Sequence, residues 1–282
     1  MRVVVLFLFL ASSLMGAPTL RATTDVEMET CLAEGEILKG WETLIGITKA
    51  LKLTLQCDGW EQKAAFKTLD LRKPGLYMHD DGSREFNFSD SYKYEVAAYL
   101  LDRELGLRMV PVAVLRTHRG TDGALVAWIL DTVHENQVTH EFNGVEMASL
   151  ARQKSIVRLF DSLIYNTDRR PPNLLVDEST ARVYMIDHGR SFREQRKLQE
   201  GFEISRVWLS KDTYDRLQAL DKERLDELLG DVTTRGQRKT LLVRRDLIIE
   251  KIDRELQEFG DEAVFVDPIS RTSQSPAGSS IE

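Results

Sequence analysis

The stretch YNTDRRPPNLLVDESTARVYMIDHGRSF, residues 165–192, decides the fold of this chain. It begins with a loop in which Asp168 and Asn173 are separated by four residues, and two prolines between them keep this loop out of a helix. Two short apolar runs, LLV and VYMI, follow around a polar turn, which predicts a hairpin. Asp187 ends the second run, fourteen positions after Asn173 and just before the H-G pair. These three polar side chains are the candidate functional residues of the segment.

The three side chains have the chemistry that a phosphoryl-transfer site needs. A divalent cation on the β and γ phosphates of a nucleotide requires hard oxygen ligands, and magnesium usually takes one or two protein carboxylates together with phosphate and water. Asp187 and Asn173 would supply protein oxygens to Mg²⁺ or Mn²⁺. Asp168 would then be free to orient an attacking hydroxyl and to accept its proton.

A lysine and a glutamate upstream complete the set. Lys67 closes an apolar strand, KAAFK, which is predicted to pair with LKLTLQ across the turn at Asp58 and Gly59. Ser89 is predicted to cap the next helix, and Glu95 lies beside the apolar face of that helix. The lysine and the glutamate can therefore meet if the helix packs on the sheet.

These motifs resemble the atypical branch of the protein-kinase-like fold. DRRPPN and IDHGRSF are similar to the DRxxxN and D-x-G motifs of the phosphoinositide 3- and 4-kinases, the HipA-type serine/threonine kinases and the secreted Golgi casein kinase family. YEVAAYLLDRELGL is similar to the helix that carries the partner of the lysine in these relatives. The resemblance covers residues 37 to about 259. It implies ATP and a divalent metal as cofactors, with Lys67 on the phosphates, Glu95 fixing that lysine, Asp168 on the acceptor hydroxyl, and Asn173 and Asp187 on the metal.

The chain departs from typical protein kinases at three points. It has no HRD, because Asn166 and Thr167 precede Asp168, and it has no GxGxxG. It has no DFG either, because His188 replaces the phenylalanine. We interpret His188 as a packing or hydrogen-bonding residue and not as a metal ligand, since the other histidines show no ligand spacing with it.

The resemblance also suggests where the nucleotide would lie. LIGITK would turn over the phosphates, so that backbone amides at Gly46, Ile47 and Thr48 face them. Ile129 is predicted to lie at the end of the last strand of the first lobe, where the relatives contact adenine.

Each candidate residue also has a purely structural interpretation. A lysine at a strand end is usually solvated, and Asp and Asn favour turns because they bond their own backbone. The functional interpretation is favoured because the five residues occur together, in the order and spacing of kinases. For Arg169, Arg170 and Arg190 two interpretations stay open, namely binding of an acidic or phosphorylated substrate and pairing with surface carboxylates.

The patterns predict an α+β, bilobal protein-kinase-like fold with a strand-rich first lobe and a helical second lobe. Residues 37–131 form the first lobe and residues 132–266 the second. The second lobe begins with a helix over residues 145–165 that is apolar around much of its circumference and is therefore buried. Further helices are predicted over residues 211–229 and 237–259.

The two ends of the chain are predicted to lie outside the lobes. Residues 1–17 have the order of a secretory signal peptide, and their apolar run is too short for a stable membrane span; an uncleaved anchor is the alternative that stays open. Residues 18–36 are interpreted as a mobile acidic leader and residues 267–282 as a disordered tail. We therefore expect export to a periplasm, the extracellular space or a secretory lumen. Export permits a disulfide between Cys31 and Cys57, although buried free cysteines are an equal alternative.

The composition excludes several classes of protein. The 282 residues are 42% hydrophobic and 29% charged, which is typical of a soluble folded protein. The net charge of −7 provides no bulk positive field for a polyanion, so nucleic acid is not expected as a partner. Two cysteines without a CxxC pattern exclude a disulfide scaffold and a zinc ribbon. A phosphate site must therefore be made locally, by Lys67, metal and backbone amides.

These residues predict an exported atypical kinase that transfers the γ-phosphoryl group of ATP to a hydroxyl of a protein, glycan or lipid. Two alternatives stay open. One is an enzyme of the same fold that transfers AMP, and the other is a catalytically inactive kinase-like module that binds a partner or activates another enzyme.

Overall fold

A computed structural model of the protein describes residues 24–42, 50–78, 82, 84–203 and 205–266. The predicted signal peptide (1–17), the first part of the predicted leader (18–23), the predicted tail (267–282), and Gly46, Ile47 and Thr48 lie outside the described residues.

The predicted α+β fold, with a strand-rich first part and a helical second part, is confirmed. In chain order the first lobe contains helix α1 (Asp25–Glu34), strands β1 (Glu36–Glu42), β2 (Leu51–Cys57), β3 (Trp60–Lys67), β4 (Asp70–Met78) and β5 (Arg84–Ser91), helix α2 (Lys93–Glu104), and strands β6 (Ala113–His118) and β7 (Thr121–Ala127). The second lobe contains strand β8 (Val133–His134), helix α3 (Gly144–Ile164), strands β9 (Leu174–Asp177) and β10 (Arg182–Met185), and helices α4 (Lys211–Ala219), α5 (Lys222–Leu229), α6 (Arg235–Phe259) and α7 (Asp261–Val264).

A five-stranded antiparallel sheet in the order β1-β2-β3-β7-β6 forms the base of the first lobe. The predicted hairpin of β2 and β3 turns at Gly59, whose φ of 80° lies in the left-handed region that glycine enters without strain. Leu53, Leu55 and Phe66 are buried beneath helices α1 and α2, which pack on this sheet. Strand β3 ends at Lys67, as the sequence predicts.

Strands β4 and β5 form a separate two-stranded ribbon that the sequence patterns did not predict. The prediction that Ser89 caps α2 is wrong, because β5 continues through Ser89 and stays paired with β4 as far as Ser91. The hydroxyl of Ser89 instead lies 3.0 Å from that of Tyr94. Helix α2 begins at Lys93 without a side-chain cap.

The prediction of a mobile leader is wrong for residues 25–34, because these residues form helix α1 and pack on the first lobe. Leu32 is fully buried, and Asp25 lies 2.8 Å from Arg103 on α2. Cys31 and Cys57 form a disulfide, with 5.2 Å between their Cα atoms, so the alternative of free cysteines is not realised. These contacts come from distant parts of the chain, and the polar composition of the leader therefore does not reveal them.

Helix α3 is the predicted buried helix and packs against α6 and β10. The single helix predicted over residues 211–229 is two helices, α4 and α5. The chain breaks between them because the side chain of Asp221 accepts a hydrogen bond from the N–H of Arg224, which starts a new helix. Within the part of the chain that the structure describes, no helix has the length and apolar character that crossing a membrane requires.

Candidate active site

Lys67 and Glu95, which the sequence predicts to meet, form an ion pair between β3 and α2. The Nζ atom of Lys67 lies 2.5 Å from Oε1 of Glu95, and the two side chains are 16% and 2% exposed. Glu95 lies in the first turn of α2, where the positive end of the helix dipole favours a carboxylate. The pair therefore brings the edge of the sheet and the start of the helix into one site.

The ammonium of Lys67 also reaches the second lobe, since its Nζ lies 2.9 Å from Oδ1 of Asp187. Burial alone would lower the pKa of Lys67, but the carboxylates of Glu95 and Asp187 raise it above its ordinary value. Burial would likewise raise the pKa of Glu95, yet the charge of Lys67 and the contacts with His188 lower it below its ordinary value. Lys67 and Glu95 are therefore both charged at neutral pH.

Asp168 lies in the loop after α3, and its backbone is fixed from both sides. Its N–H donates to Oδ1 of Asn166 at 3.0 Å, and its carbonyl accepts from Nδ2 of Asn173 at 2.8 Å. Asn173 closes the short 3-10 turn Pro171–Asn173, which suits the fixed backbone angles of proline. The loop thus holds Asp168 and Asn173 in one rigid unit.

Two of the three arginines left open by the sequence pair with carboxylates beside this loop. Arg170 and Arg190 approach the carboxylate of Asp168 at 3.3 and 3.7 Å. Arg190 also pairs with Glu85 on β5, and Arg193 pairs with the same glutamate. The β4–β5 ribbon is therefore fastened to the segment that follows Asp187 in the chain.

Arg169, the third arginine, turns inward. Its guanidinium donates to both carboxylate oxygens of the buried Asp161 at 2.9 and 3.0 Å, and to the carbonyls of Asn173 at 2.8 Å and Ile186 at 2.7 Å. It also lies 3.0 Å from Nε2 of His188. Arg169 is thus a mostly buried link between the two polar segments, and its donors are used by the protein itself.

Asp187 follows β10 and adopts a left-handed backbone, with a φ of 63°. Aspartate and asparagine enter this region more readily than most residues with a side chain. The side chain of Asp187 is 37% exposed, whereas His188 is fully buried. Burial lowers the pKa of His188 below its ordinary value, so its ring is neutral at neutral pH.

Asn173 and Asp187 are suited to hold a divalent cation. The N–H of Ile186 donates to the carbonyl of Asn173 at 3.1 Å, so the two segments run side by side. The amide nitrogen of Asn173 is used by the carbonyl of Asp168, which leaves its amide oxygen to act as a ligand. Among the described residues, no group of three or more His, Cys, Asp or Glu is arranged to hold a metal. A cation here would take its other ligands from phosphate and water, as Mg²⁺ and Mn²⁺ do.

The sequence reasoning missed Asp90, which lies on β5 and lines one small cleft together with Lys67, Glu95 and Asp187. A Cβ atom at Gly189 would come 2.3 Å from Oδ1 of Asp90, so this carboxylate approaches closely only because position 189 is glycine. Burial, together with the negative charges of Asp187 and Glu95, raises the pKa of Asp90 to about 6. In the sequence Asp90 looks like any polar residue before a helix. It reaches the cleft only through the β4–β5 ribbon, which the sequence patterns did not predict.

Three of the predicted nucleotide contacts, Gly46, Ile47 and Thr48, lie outside the described residues. Ile129 lies just after β7, in the connection between the lobes, and is half-buried. Its carbonyl accepts a hydrogen bond from the hydroxyl of Thr132 at 3.3 Å. Its contact with adenine stays a prediction.

A larger cavity, of about 820 Å³, lies in the second lobe. Its walls are mainly apolar and include Phe142, Leu150 and Trp208, together with the cations Lys154 and Arg158. It contains none of the predicted site residues and is therefore separate from the candidate active site.

Comparison with known proteins finds kinase-like relatives. A family model described as HipA-like kinase matches residues 131–240. Among solved structures, that of a Fam20 protein from hydra with sugar superposes with a TM-score of 0.59 at 16% identity and covers 86% of this chain and 92% of that chain. The Golgi casein kinase with Mn/ADP bound superposes with a TM-score of 0.59 at 15% identity and covers 86% of this chain and 78% of that chain. No curated protein matches the chain in sequence.

These likenesses confirm the predicted resemblance to the atypical protein-kinase-like fold. At 15% to 16% identity the solved structures show the fold alone. The matched family model includes the loop of Asp168 and the segment of Asp187, whereas Lys67 and Glu95 lie before it.

Proposed function

We propose that the protein is a kinase that transfers the γ-phosphoryl group of ATP to a hydroxyl group. The observation that carries the proposal is the position of Lys67, whose ammonium contacts the carboxylates of both Glu95 and Asp187. The residue expected on the phosphates thus lies beside the residue expected on the metal. The Golgi casein kinase of similar fold was solved with Mn/ADP bound, which supports the use of a nucleotide and a divalent metal.

Asp168 would act on the acceptor. Its backbone is fixed by Asn166 and Asn173, while its side chain remains 22% exposed. The acceptor oxygen would form a bond to the γ-phosphorus as the bond from that phosphorus to the bridging oxygen of ADP breaks. The proton of the acceptor hydroxyl would pass to the Asp168 carboxylate.

Lys67 would neutralise charge on the phosphates. Because Glu95 holds its ammonium in place before the reaction, little reorganisation is needed when charge develops. Asp187 and Asn173 would hold Mg²⁺ or Mn²⁺, which when bound neutralises the phosphate oxygens.

The acceptor in this proposal is a hydroxyl of a protein, glycan or lipid, and the protein is exported. Export is predicted from residues 1–17 and is supported by the Cys31–Cys57 disulfide, since disulfides persist in oxidising compartments.

Transfer of label from γ-labelled ATP tests the proposal. The purified protein is incubated with Mn²⁺ or Mg²⁺ and a panel of protein, glycan and lipid acceptors, and we expect a labelled acceptor. Lys67→Met and Asp187→Asn should each lower the transfer rate roughly 10²- to 10³-fold. Asparagine is chosen at position 187 because it tolerates the left-handed backbone there. Lys63→Met changes an exposed lysine of the same strand and should leave the rate unchanged.

Three results would contradict the proposal. Label that reaches the acceptor from α-labelled ATP would indicate AMP transfer instead. Nucleotide binding without any transfer would favour an inactive module that acts through a partner. Equal rates for the wild type and Asp187→Asn would show that the site described above does not carry the activity.

A further inference from the structure

We infer that His188 is a positioning residue that joins helix α2 to the loop of Asp168. This inference rests on the proposed function and adds a residue to it. His188 is fully buried, so it acts through the residues that it contacts and not on the substrate.

On one side His188 contacts Glu95. Its backbone N–H donates to Oε1 of Glu95 at 3.0 Å, and Nδ1 of its ring lies 3.5 Å from Oε2 of the same carboxylate. Oε1 of Glu95 is also the atom that holds Lys67. A displacement of His188 would therefore disturb the carboxylate that fixes the lysine.

On the other side His188 contacts Arg169, whose Nη2 lies 3.0 Å from Nε2 of the ring. A guanidinium can only donate, so Nε2 must be the acceptor and the ring proton must be on Nδ1. Nδ1 lies 3.5 Å from Oε2 of Glu95 and makes no hydrogen bond to it, so the contact on that side is electrostatic. His188 thus offers a ring acceptor to the loop and a backbone donor to the helix at the same time.

The contacts continue from Arg169 to Asp168. Arg169 binds both oxygens of Asp161, and Oδ1 of Asp161 accepts from Nδ2 of Asn166 at 3.0 Å. Oδ1 of Asn166 accepts from the N–H of Asp168. An unbroken series of hydrogen bonds therefore runs from His188 to the backbone of the residue proposed to accept the proton of the acceptor hydroxyl.

The polar ring is needed because His188 itself is fully buried, so water cannot replace the contacts of its nitrogens. The rings of His188 and Phe160 pack edge to face, with ring centroids 6.2 Å apart and planes at 88°. A phenylalanine, as in typical DFG motifs, would fill a similar volume but would offer no acceptor to Arg169 and no polar atom beside the carboxylate of Glu95. Buried polar groups that lose their partners destabilise the arrangement that held them.

Two substitutions separate positioning from packing. His188→Phe keeps an aromatic ring and removes both ring nitrogens, whereas His188→Gln keeps an acceptor and a donor. For label transfer we expect kcat to fall roughly 10- to 100-fold in His188→Phe and to recover most of that loss in His188→Gln. The KM for ATP should change less than about threefold, because Lys67 keeps its contact with Asp187. Phe160→Leu is the control, since it loosens packing without removing a hydrogen bond and should lower thermal stability but not kcat.

Amide hydrogen exchange tests the inference without any need for activity. The N–H of Asp168 should exchange faster in His188→Phe than in the wild type, and His188→Gln should restore its protection. His188→Leu replaces His188→Phe if the latter does not fold. Equal exchange at Asp168 in the wild type and the apolar variant overturns the inference, as does a kcat loss in His188→Gln as large as that in His188→Phe. A wild type that transfers no label overturns the proposed function and leaves the exchange measurement to decide the role of His188.

Discussion

At the scale of single residues, the candidate site holds more negative than positive charge. Three carboxylates, those of Asp90, Glu95 and Asp187, line the cleft that contains the one ammonium of Lys67. Like charges that share a cleft disfavour their own ionised forms, and a cation relieves this repulsion. The charge balance of these residues therefore favours the divalent metal that the proposed function requires.

Asp90→Asn should stabilise the protein without metal above about pH 6 and should have little effect near pH 4. The pKa of Asp90 is raised from 3.8 to about 6, so between these values the folded state binds a proton that the unfolded chain does not. The contribution of the Asp90 carboxyl to the free energy of unfolding is therefore fully present below about pH 4 and is lost as the pH rises through about 6. Urea unfolding of the wild type and the variant between pH 4 and 8 measures the difference.

The control for this prediction is Asp231→Asn, which changes an exposed aspartate. It should leave the pH dependence of the free energy of unfolding as in the wild type. The same gain from Asp90→Asn at pH 4 and at pH 8 would show that the carboxyl of Asp90 does not titrate in this range.

At the scale of elements, α1 acts as a brace behind α2. Asp25 at its start pairs with Arg103 of α2, and Cys31 near its end is bonded to Cys57 of β2. A helix of ten residues has little stability of its own in water, so these tertiary contacts hold it in place. The ion pair of Asp25 thus joins α1 to the helix whose first turn carries Glu95.

Cys57→Ser should lower the free energy of unfolding by about 3 kcal/mol, because the disulfide closes a loop between residues that are 26 positions apart. Urea unfolding of the wild type and the variant measures the change. A reductant should destabilise the wild type by a similar amount and should have no effect on Cys57→Ser. A wild type that is indifferent to reductant would contradict the role assigned to this bond.

At the scale of the whole molecule, the two lobes are held together by direct polar contacts and a shared core. Nε2 of Gln237, on α6, donates to the hydroxyl of Tyr94, on α2, at 2.6 Å. The N–H of Ser91 donates to the carbonyl of Gly189 at 2.9 Å. Buried apolar residues from both lobes belong to one continuous cluster. We therefore expect the described lobes to unfold together.

Tyr94→Phe should lower the free energy of unfolding by about 1 to 3 kcal/mol, because it leaves the buried amide of Gln237 without its acceptor. Tyr184→Phe is the matched control on β10 and should change this free energy by less than about 0.5 kcal/mol. Chemical unfolding followed by fluorescence and by circular dichroism measures both variants. Two separate transitions in the wild type would contradict the shared core.

Local patterns predict those parts of the fold whose contacts are close in sequence. The alternation of Leu51, Leu53 and Leu55, followed by Asp58 and Gly59, predicts the β2–β3 hairpin, and the structure has it. The apolar residues around most of the circumference of helix α3 likewise predict that this helix is buried, and the structure buries it. These two elements place Lys67 at the end of β3 and Asp168 in the loop after α3, which is why the order of these residues along the chain was informative.

Contacts between distant segments explain what the sequence did not predict. Ser89 resembles a helix cap until β4, from an earlier part of the chain, extends the strand that contains it. Arg169 resembles a surface arginine until Asp161 is buried beside it. Asp90 becomes a site residue only because the ribbon brings it to Gly189. In each case the local signal is ordinary and a tertiary contact decides the outcome; for Ser89 and Asp90 the partner is far away in the chain, and for Arg169 it is the end of the preceding helix, eight residues earlier.

The spacing of the paired residues has a consequence for biosynthesis. Cys31 and Cys57 both leave the ribosome before any residue of the second lobe, so oxidation can fasten α1 to β2 on a nascent chain. Lys67 must wait until Asp187, 120 residues later, has been translated. The disulfide can therefore form earlier in synthesis than the contact between Lys67 and Asp187. A chain arrested after the first lobe can already contain the disulfide, but it lacks Asp187 and with it the charged site.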